Sequence, residues 1–304
     1  MWKLKVLVQF VLSIIPGGVF LNTQFHKLKR TSNGYSVEYI SERIPVLTTN
    51  LMKIDDITPI EDAVIVEVGP GGSMVSGLLM YLLGAKKVHS YDHIKHVSYN
   101  LLEQNLGALQ VRLDSISQIS GISADKLQAR LDLVLKTKNI DEVLDRASIS
   151  YNAPADASQT NLPDASVDII YSTAVFEHLP PEVIEAVTLE SKRILKDTGV
   201  GYHLIDVHDH YAYDTTISKV NFLQYSERVW AFFTHNKISY HNRLRAKQFK
   251  DIFESLGAVT LGFNTKVESE SLDALNTIKI NNRFSGMTHE ELAVHQVEIM
   301  IRFE

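Results

Sequence analysis

Apolar residues cluster in short runs that are separated by longer segments with helical spacing. Short runs of this kind, bounded by turn residues, are typical of strands that are buried on both faces of a sheet. The predicted strands are residues 62–68, 86–92, 166–172, 200–207, 258–267 and 295–303. The predicted helices are residues 73–83, 180–199 and 246–257. Each of these helical segments ends at a glycine or one residue before it, which favours a helix end.

Strands and helices alternate along most of the chain, which predicts an α/β fold with a doubly wound, mostly parallel sheet. The last two strands have no predicted helix between them, and this favours an antiparallel edge. Residues 105–150 are polar with spaced leucines, so we interpret them as a helical insertion that is solvated or serves as a partner surface or lid. The predicted organisation is a helical arm over residues 1–50 and one domain over 51–304, with a cap segment at 215–245.

The N-terminal arm combines basic residues with an interrupted apolar stretch. Residues 1–37 contain no acid, and their basic residues are Lys3, Lys5, Lys27, Lys29 and Arg30. Gln9, Ser13 and the turn at Pro16 interrupt the apolar stretch, which is therefore too short to span a bilayer; a span takes about 20 apolar residues. Three interpretations stay open: a helix packed on the domain, an interfacial helix on an anionic membrane, or a signal peptide without a good cleavage site.

The composition is that of a globular protein, with 45% hydrophobic and 22% charged residues. A net charge of −6 argues against a nucleic-acid partner. The 304 residues include no cysteine, which excludes disulfides, thiolate metal sites and cysteine nucleophiles. This composition fits a reducing compartment. We therefore expect a cytoplasmic protein, with peripheral contact to the inner membrane face if the arm is interfacial.

The first predicted strand ends in an acid that is followed by glycines, in the sequence VEVGPGG. In open α/β sheets, ligands bind at the carboxyl ends of the strands, and glycine lets the backbone approach a ligand closely. Gly69 and Gly71 lie in this loop, and Asp92 ends the next strand, where it can accept hydrogen bonds from a ribose diol. A dinucleotide site would have a glycine in place of Met74. Glu67 would repel a pyrophosphate but attract a cation.

These motifs resemble those of class I S-adenosylmethionine (SAM)-dependent methyltransferases. VEVGPGG is similar to the first motif of the family, and ADASQTNLPDASVDIIYSTAVFEHL is similar to its later motifs. The resemblance implies a Rossmann-like methyltransferase fold with SAM as the cofactor. The implied cofactor-binding residues are Glu67, Gly69 and Gly71 for the methionine part, Asp92 for the ribose hydroxyls, and Asp156 with Ala157 for the adenine edge. The long segment between Asp92 and Asp156 departs from the family pattern.

A second group of polar side chains follows the strand at 200–207, in the sequence IDVHDHYAYD. The resemblance implies that the methyl acceptor binds in this region. We predict that His210 is the general base for a methylated hydroxyl and that Asp209 or Asp206 orients it. A surface or structural histidine is one alternative, and a divalent metal site is another. The predicted site itself includes no metal ligand.

The predicted function is methyl transfer from SAM to a hydroxyl of a glycan or another small molecule. An aromatic and basic cap together with a basic arm loosely resembles methyltransferases of surface-polysaccharide assembly, which implies a glycan acceptor. The alternative is a non-catalytic subunit that keeps the fold and binds a partner. Glu177 and His178 belong either to the site or to a structural network at a helix start. His178 is the second candidate for the base.

Overall fold

The computed structural model describes residues 2–18, 21, 36–214, 217–234 and 240–304. Lys27, Lys29, Arg30 and parts of the predicted cap at 215–245 lie outside the described residues. The helices are α1 (Trp2–Ile14), α2 (Val37–Asp55), α3 (Val75–Leu83), α4 (Tyr99–Val111), α5 (Leu113–Ser120), α6 (Ala124–Leu135), α7 (Ile140–Arg146), α8 (Pro181–Ile194), α9 (Glu227–Thr234), α10 (Ala246–Ser255), α11 (Ser269–Leu275) and α12 (His289–Ala293). The strands are β1 (Val64–Val68), β2 (Lys87–Tyr91), β3 (Ile149–Asn152), β4 (Val167–Thr173), β5 (Leu195–Asp206), β6 (Ala258–Val267) and β7 (Val294–Phe303).

These strands form a seven-stranded sheet in the order β3–β2–β1–β4–β5–β7–β6. β1 pairs in parallel with β2 and β4, and β2 pairs in parallel with β3. β7 runs antiparallel to β6, since Asn264 bonds to Glu298 while Lys266 bonds to Gln296. The structure confirms the predicted α/β fold, with a mostly parallel sheet and an antiparallel edge.

The chain forms two compact units. Unit 1 comprises residues 1–28, 174–186 and 203–301, and unit 2 comprises residues 29–173, 187–202 and 302–304. Strands β1 to β4 belong to unit 2, together with the loops that follow β1, β2 and β3. The boundary of the arm at residue 50 stays a prediction.

Unit 2 is built on strands whose apolar runs are buried. Ile65 and Val66 of β1 are at most 1% exposed. Helix α3 follows β1 and ends at Gly84, whose φ of +106° favours glycine. Helix α2 buries residues at helical spacing, namely Ile40, Ile44, Leu47, Leu51 and Ile54. The predicted succession of strand, glycine loop, helix and strand is therefore confirmed.

Helices α4 to α7 occupy the segment between β2 and β3, where the sequence predicted an insertion. They begin at Tyr99, before the predicted boundary at 105, and lead into β3, a strand that the sequence analysis did not identify. Their buried leucines are Leu102, Leu106, Leu109, Leu113, Leu127 and Leu131. Both α4 and α5 contact α2. The segment is therefore a long crossover between two parallel strands, with a packed face in addition to its solvated one.

The boundary between α8 and β5 differs from the predicted one. The helix predicted at 180–199 ends at Ile194, and β5 begins at the next residue. Lys196 falls within the predicted helix, but in the structure it lies in β5 and forms an ion pair of 2.7 Å with Asp168 of β4. The sequence LKDTG at the start of β5 is mostly polar, so its apolar pattern gives no strand signal. Pairing within the sheet outweighs this weak local preference.

Unit 1 has its own apolar core, built from segments that are far apart in the sequence. Its members include Val6, Tyr211, Phe222, Trp230, Phe284 and Leu292. Helices α11 and α12 lie between β6 and β7, where the sequence predicted no helix. The buried guanidinium of Arg243 donates to the carbonyl of Phe222 (3.0 Å). That of Arg245 donates to the carbonyl of Leu292 (3.0 Å). These two arginines of the predicted cap therefore hold the backbone of unit 1.

Candidate active site

The strand order places the glycine loop where open α/β sheets bind ligands. The order of connection reverses at β1, because β2 and β3 lie on one side of it and β4 lies on the other. In such sheets the ligand crevice lies outside the carboxyl ends of the strands at this reversal. Gly69 follows β1 directly, and Asp92 follows β2 directly.

Glu67 is buried at the end of β1, with 3% of its surface exposed. The hydroxyl of Ser90 on β2 donates to its Oε2 at 2.8 Å. Burial raises the pKa of Glu67 to about 7; the bond from Ser90 opposes this rise, and the charge of Asp92 adds to it. A Cβ on Gly77 would lie 3.1 Å from the same oxygen. The carboxyl group of Glu67 is thus held between a strand and a helix, and a nearby cation would favour its ionised form.

The glycine loop takes a backbone conformation that favours glycine. Gly69 and Gly71 have φ angles of +68° and +63°. The amide of Gly69 donates to the carbonyl of Tyr91 at 2.8 Å, which fixes the loop against the end of β2. A Cβ on Gly71 would meet no atom of the described residues within 4 Å. The loop therefore presents open backbone against which a ligand can lie.

Asp92 is 6% exposed, and its environment favours the carboxylate. Burial alone would raise the pKa of Asp92. Hydrogen bonds from His93 (3.2 Å) and from the amide of Ile94 (3.1 Å) outweigh burial and lower the pKa below its usual value. The other oxygen accepts a bond from the amide of Gly71 at 3.1 Å. An ionised carboxylate at this position can accept hydrogen bonds from two neighbouring hydroxyls.

Asp156 and Ala157 lie in the loop after β3. The amide of Ala155 donates to the carbonyl of Asp92 at 2.8 Å, so the chain before Asp156 passes beside the end of β2. Asp156 is exposed, and its Oδ1 accepts a bond from the amide of Ser158 (2.8 Å). The structure thus brings the predicted cofactor-binding residues to neighbouring strand ends within unit 2. Their individual roles remain predictions.

These residues fit the cofactor that the sequence implies. SAM carries an ammonium and a sulfonium group, and Glu67 offers a carboxyl group that is suited to a cation. The ribose of SAM carries two hydroxyls, and Asp92 offers an ionised acceptor. The open backbone at Gly71 leaves room for the cofactor to approach the main chain closely. A pyrophosphate would instead meet two acidic side chains here, which disfavours a dinucleotide.

Unit 1 contains a second group of functional side chains, the histidine cluster, which comprises His178, His208, His210 and His241. His210 lies at its centre. The distances from its ring centroid to the others are 4.9 Å to His178, 5.2 Å to His208 and 4.2 Å to His241. His241 lies in the segment predicted as a cap, and the sequence analysis did not identify it. The sequence could have indicated His241 only through its place in a histidine-containing stretch. Its proximity to the other three histidines depends on the tertiary fold.

Backbone carbonyls orient two rings of the histidine cluster. Nδ1 of His178 lies 3.0 Å from the carbonyl of Tyr240, and Nδ1 of His208 lies 3.2 Å from the carbonyl of His295. Such contacts fix the tautomer and leave Nε2 to accept a proton. Burial lowers the pKa of His208 and lowers that of His241 well below its usual value. At neutral pH these two rings are therefore neutral.

Glu177 is a buried carboxyl group beside the histidine cluster, with 1% of its surface exposed. Among the described residues, neither of its carboxyl oxygens has a hydrogen-bond partner of good geometry. Burial raises the pKa of Glu177 well above its usual value, and the charge of Asp206 raises it further. Asn242 fixes the turn at Phe176–His178, because its side chain donates to the carbonyl of Phe176 (2.7 Å). A structural network at this helix start therefore exists, but it leaves the Glu177 carboxyl group available.

The two carboxylates predicted to orient His210 have different surroundings. Asp209 is fully buried, and its oxygens accept bonds from the amide of Tyr211 (2.9 Å) and the side chain of Asn221 (3.0 Å). Burial raises the pKa of Asp209 to about 6. These bonds give Asp209 a structural role in the loop. Asp206 forms a compact group with His208 and His210, so it is the better placed of the two orienters.

Two overlapping groups of side chains in the described part of unit 1 could hold a divalent cation. They are Glu177, His178 and His210, and Asp206, His208 and His210; within each, one ligand atom per residue lies within 4.8 Å of the others. Carboxylate and imidazole are suitable ligands for several divalent metals. The same groups suit proton transfer, because neutral imidazole accepts a proton and a carboxylate stabilises the imidazolium.

Comparison with known proteins gives one family match. Residues 115–202 match the family model described as a methyltransferase domain. This range includes Asp156, Ala157, Glu177 and His178. No curated protein sequence matches the chain.

Several solved structures are similar at low sequence identity. A candidate methyltransferase from Bacillus halodurans C-125 is 13% identical, with a TM-score of 0.44 over 83% of this chain and 97% of that one. A candidate sarcosine dimethylglycine methyltransferase from Galdieria sulphuraria is 13% identical, with a TM-score of 0.45 over 86% and 85%. Geranyl diphosphate C-methyltransferase from Streptomyces coelicolor A3(2) is 10% identical, with a TM-score of 0.44 over 83% and 77%.

The family match and the site at the ends of β1 and β2 point to the same chemistry. The matched residues extend from the crossover helices to β5, and the glycine loop with its two acids precedes them on the same sheet. The acids suit a cationic cofactor with a ribose. The match to a methyltransferase domain over residues 115–202, together with this site, therefore indicates a SAM-dependent methyltransferase with SAM as its cofactor.

Proposed function

We propose that this enzyme methylates a hydroxyl group of a glycan or of another small polar molecule. The observation that carries the proposal is the histidine cluster of unit 1, with Glu177 and Asp206 beside it. A hydroxyl has a high pKa, so its methylation benefits from a positioned base. The cluster supplies neutral imidazoles and carboxyl groups for this purpose.

His210 is the residue proposed to take the hydroxyl proton. When bound, SAM supplies an activated methyl group, and its transfer to oxygen breaks the carbon–sulfur bond with the electron pair going to sulfur. The chain positions the acceptor and receives the proton on His210. Asp206 stabilises the imidazolium that forms, since its carboxylate belongs to the same compact group. Positioning provides much of the remaining rate acceleration.

An exposed aromatic ring beside the histidine cluster supports a sugar as the acceptor. Tyr213 is 62% exposed, and its ring centroid lies 4.9 Å from that of His208 and 5.4 Å from that of His210. Its hydroxyl donates to Asp206 at 3.4 Å. Such a ring can stack on the apolar face of a sugar while its hydroxyl stays bonded. The loose resemblance to methyltransferases of polysaccharide assembly supports the same acceptor class.

An acceptor screen tests this proposal. The enzyme is incubated with methyl-labelled SAM and a panel of free sugars, nucleotide sugars and oligosaccharides. We expect label in a product whose NMR spectrum shows an O-methyl group. Label on nitrogen or carbon would contradict O-methylation. Transfer only to hydroxyls of molecules other than carbohydrates would contradict the glycan acceptor and leave O-methylation standing.

The affinity for SAM is expected to rise with pH and to level off above about pH 7. Glu67 has its pKa raised to about 7 by burial, and a bound cation favours its ionised form. Below this pH, binding must release a proton, which weakens it by at most about tenfold per pH unit for one group. Calorimetry in buffers with different ionisation enthalpies measures both the affinity and the released proton.

The Glu67→Gln variant is the control for this prediction. The amide has a similar shape but no charge and no titration, so we expect weaker binding with a reduced pH dependence. His93 beside Asp92 also titrates, with its pKa raised by the hydrogen bond to that carboxylate. Comparison of Glu67→Gln with the wild type isolates the part due to Glu67. An unchanged pH dependence in this variant would contradict the role of Glu67.

A further inference from the structure

Helix α1 has an apolar side that the fold leaves exposed. On its buried side, Val6 belongs to the core of unit 1, and the side chain of Gln9 accepts a bond from the hydroxyl of Tyr211 (3.3 Å). On the other side, four large apolar residues of α1 and the residue that follows the helix are 42–65% exposed: Leu7, Val8, Val11, Ile14 and Ile15. Their spacing is that of one helical face. In the described part of the chain, the packing of α1 on unit 1 therefore leaves this second face exposed.

Helix α9 extends the same surface. The ring centroid of Phe10 on α1 lies 5.2 Å from that of Phe232 on α9. Phe232 is 57% exposed, and Val229 on the same helix is 42% exposed. We name the exposed residues of α1 and these two residues of α9 the apolar face. Contiguous exposed apolar patches on soluble domains mark interaction sites more often than isolated residues do.

The polar and charged residues around α1 distinguish a lipid surface from a protein partner. Residues 6–21 contain no charged side chain. The hydroxyl of Ser13 donates within the helix, to the carbonyl of Phe10 (2.7 Å), so it needs no other partner. The flanking sequence has five basic residues and no acid in residues 1–37. An apolar face between basic flanks matches the interface of an anionic bilayer.

The length of α1 decides how it would meet a bilayer. At 1.5 Å per residue its 13 residues extend over about 20 Å, whereas a hydrocarbon core is about 30 Å thick. Among the described helices, none is long and apolar enough to cross a membrane. We propose that the apolar face lies in the headgroup region of an anionic bilayer, with α1 parallel to the membrane surface. This surface is separate from the methyl-transfer chemistry proposed above.

Vesicle binding by the full-length enzyme tests the lipid surface. We expect co-sedimentation with vesicles of equal parts phosphatidylcholine and phosphatidylglycerol at low salt, and weaker binding as salt screens the charges. The double variant Val11→Asp, Ile14→Asp should lose more than about tenfold in vesicle affinity, because it places two carboxylates in an apolar, anionic interface. Lys3→Gln with Lys5→Gln should weaken binding to the anionic vesicles only.

The matched control is Val111→Asp with Leu133→Asp. These residues of unit 2 are 64% and 52% exposed, so the control adds the same two charges at positions of similar exposure outside the apolar face. Wild-type vesicle affinity in the Val11→Asp, Ile14→Asp variant would overturn the proposal. A second outcome would also overturn it: the wild type self-associates and does not bind vesicles, and the Val11→Asp, Ile14→Asp variant is monomeric. The apolar face would then join two copies of the chain. Truncation is a poorer test, because it also removes Val6 from the core.

Discussion

Replacement of His210 by alanine is expected to lower turnover by about 10²–10⁴-fold while leaving the affinity for SAM nearly unchanged. A base positioned for proton transfer typically contributes this much. His210 lies at the centre of the histidine cluster in unit 1, whereas the predicted cofactor-binding residues belong to unit 2. Initial rates with the acceptor found in the screen measure the first effect, and calorimetry with SAM measures the second.

His289→Ala is the matched control for His210→Ala. His289 is exposed at the start of α12, outside the histidine cluster, so its loss should leave turnover unchanged. The metal alternative predicts a different pattern: loss of activity on chelation, restored by a divalent ion. Wild-type turnover in His210→Ala, without sensitivity to a chelator, would contradict both roles of His210. His178 would then be the next candidate base.

The pH dependence of turnover follows from the same cluster. Burial lowers the pKa of His208 and of His241, so these rings are neutral at neutral pH and become charged only in acid. A protonated neighbour would disfavour the imidazolium that forms on His210 in the reaction. Turnover at saturating SAM is therefore expected to fall as the pH is lowered and to stay flat above neutrality. A rise in turnover on acidification would contradict proton transfer to this cluster.

The second large effect is expected from Asp92→Ala, which should weaken SAM binding about 10- to 150-fold for each hydrogen bond lost. A hydrogen bond to a charged group contributes about 1.5–3 kcal/mol, and the ribose offers two hydroxyls. Calorimetry of the variant measures this loss. Turnover at saturating SAM should change less than the affinity, since Asp92 is predicted to contact the ribose rather than the reacting atoms.

Asp92 also has structural bonds, so its variant needs two controls. Its carboxylate accepts bonds from the amides of Gly71 and Ile94. Asp92→Asn keeps an acceptor for one of them, and thermal unfolding of both variants shows whether the loop survives. Asp114→Ala removes an exposed acid of unit 2 and should leave the affinity unchanged. Wild-type affinity in Asp92→Ala would contradict its contact with the ribose.

The strands that could be predicted from the sequence are those with buried, continuous apolar runs. The C-terminal ends of β1 and β4 lie within one residue of the predicted ones, because both strands pair with neighbours on each side and are mostly apolar. Strand β3 was not identified, since its sequence ISYN is short and only its first residue is buried. Its pairing with β2 gives it a strand conformation that the local sequence does not indicate.

The two sites differ in how much of each could be predicted. Glu67, Gly69, Gly71 and Asp92 stand at the ends of two strong strands, so strand position indicated the ligand-binding end, and the family resemblance implied the role of each residue. The histidine cluster joins residues from three segments, and only His208 and His210 are close in the sequence. The contact of His241 with His210 depends on long-range packing, which no local pattern encodes. The buried state of Asp209 was likewise not visible, because its partner Asn221 lies beyond the adjoining loop.

The central claim is that the glycine loop and the two acids of unit 2 bind SAM. Calorimetry of the wild-type enzyme with SAM and, separately, with NAD tests it most directly. We predict binding of SAM with one site per chain, and no comparable affinity for NAD. An absence of SAM affinity, or a preference for NAD, would contradict the account.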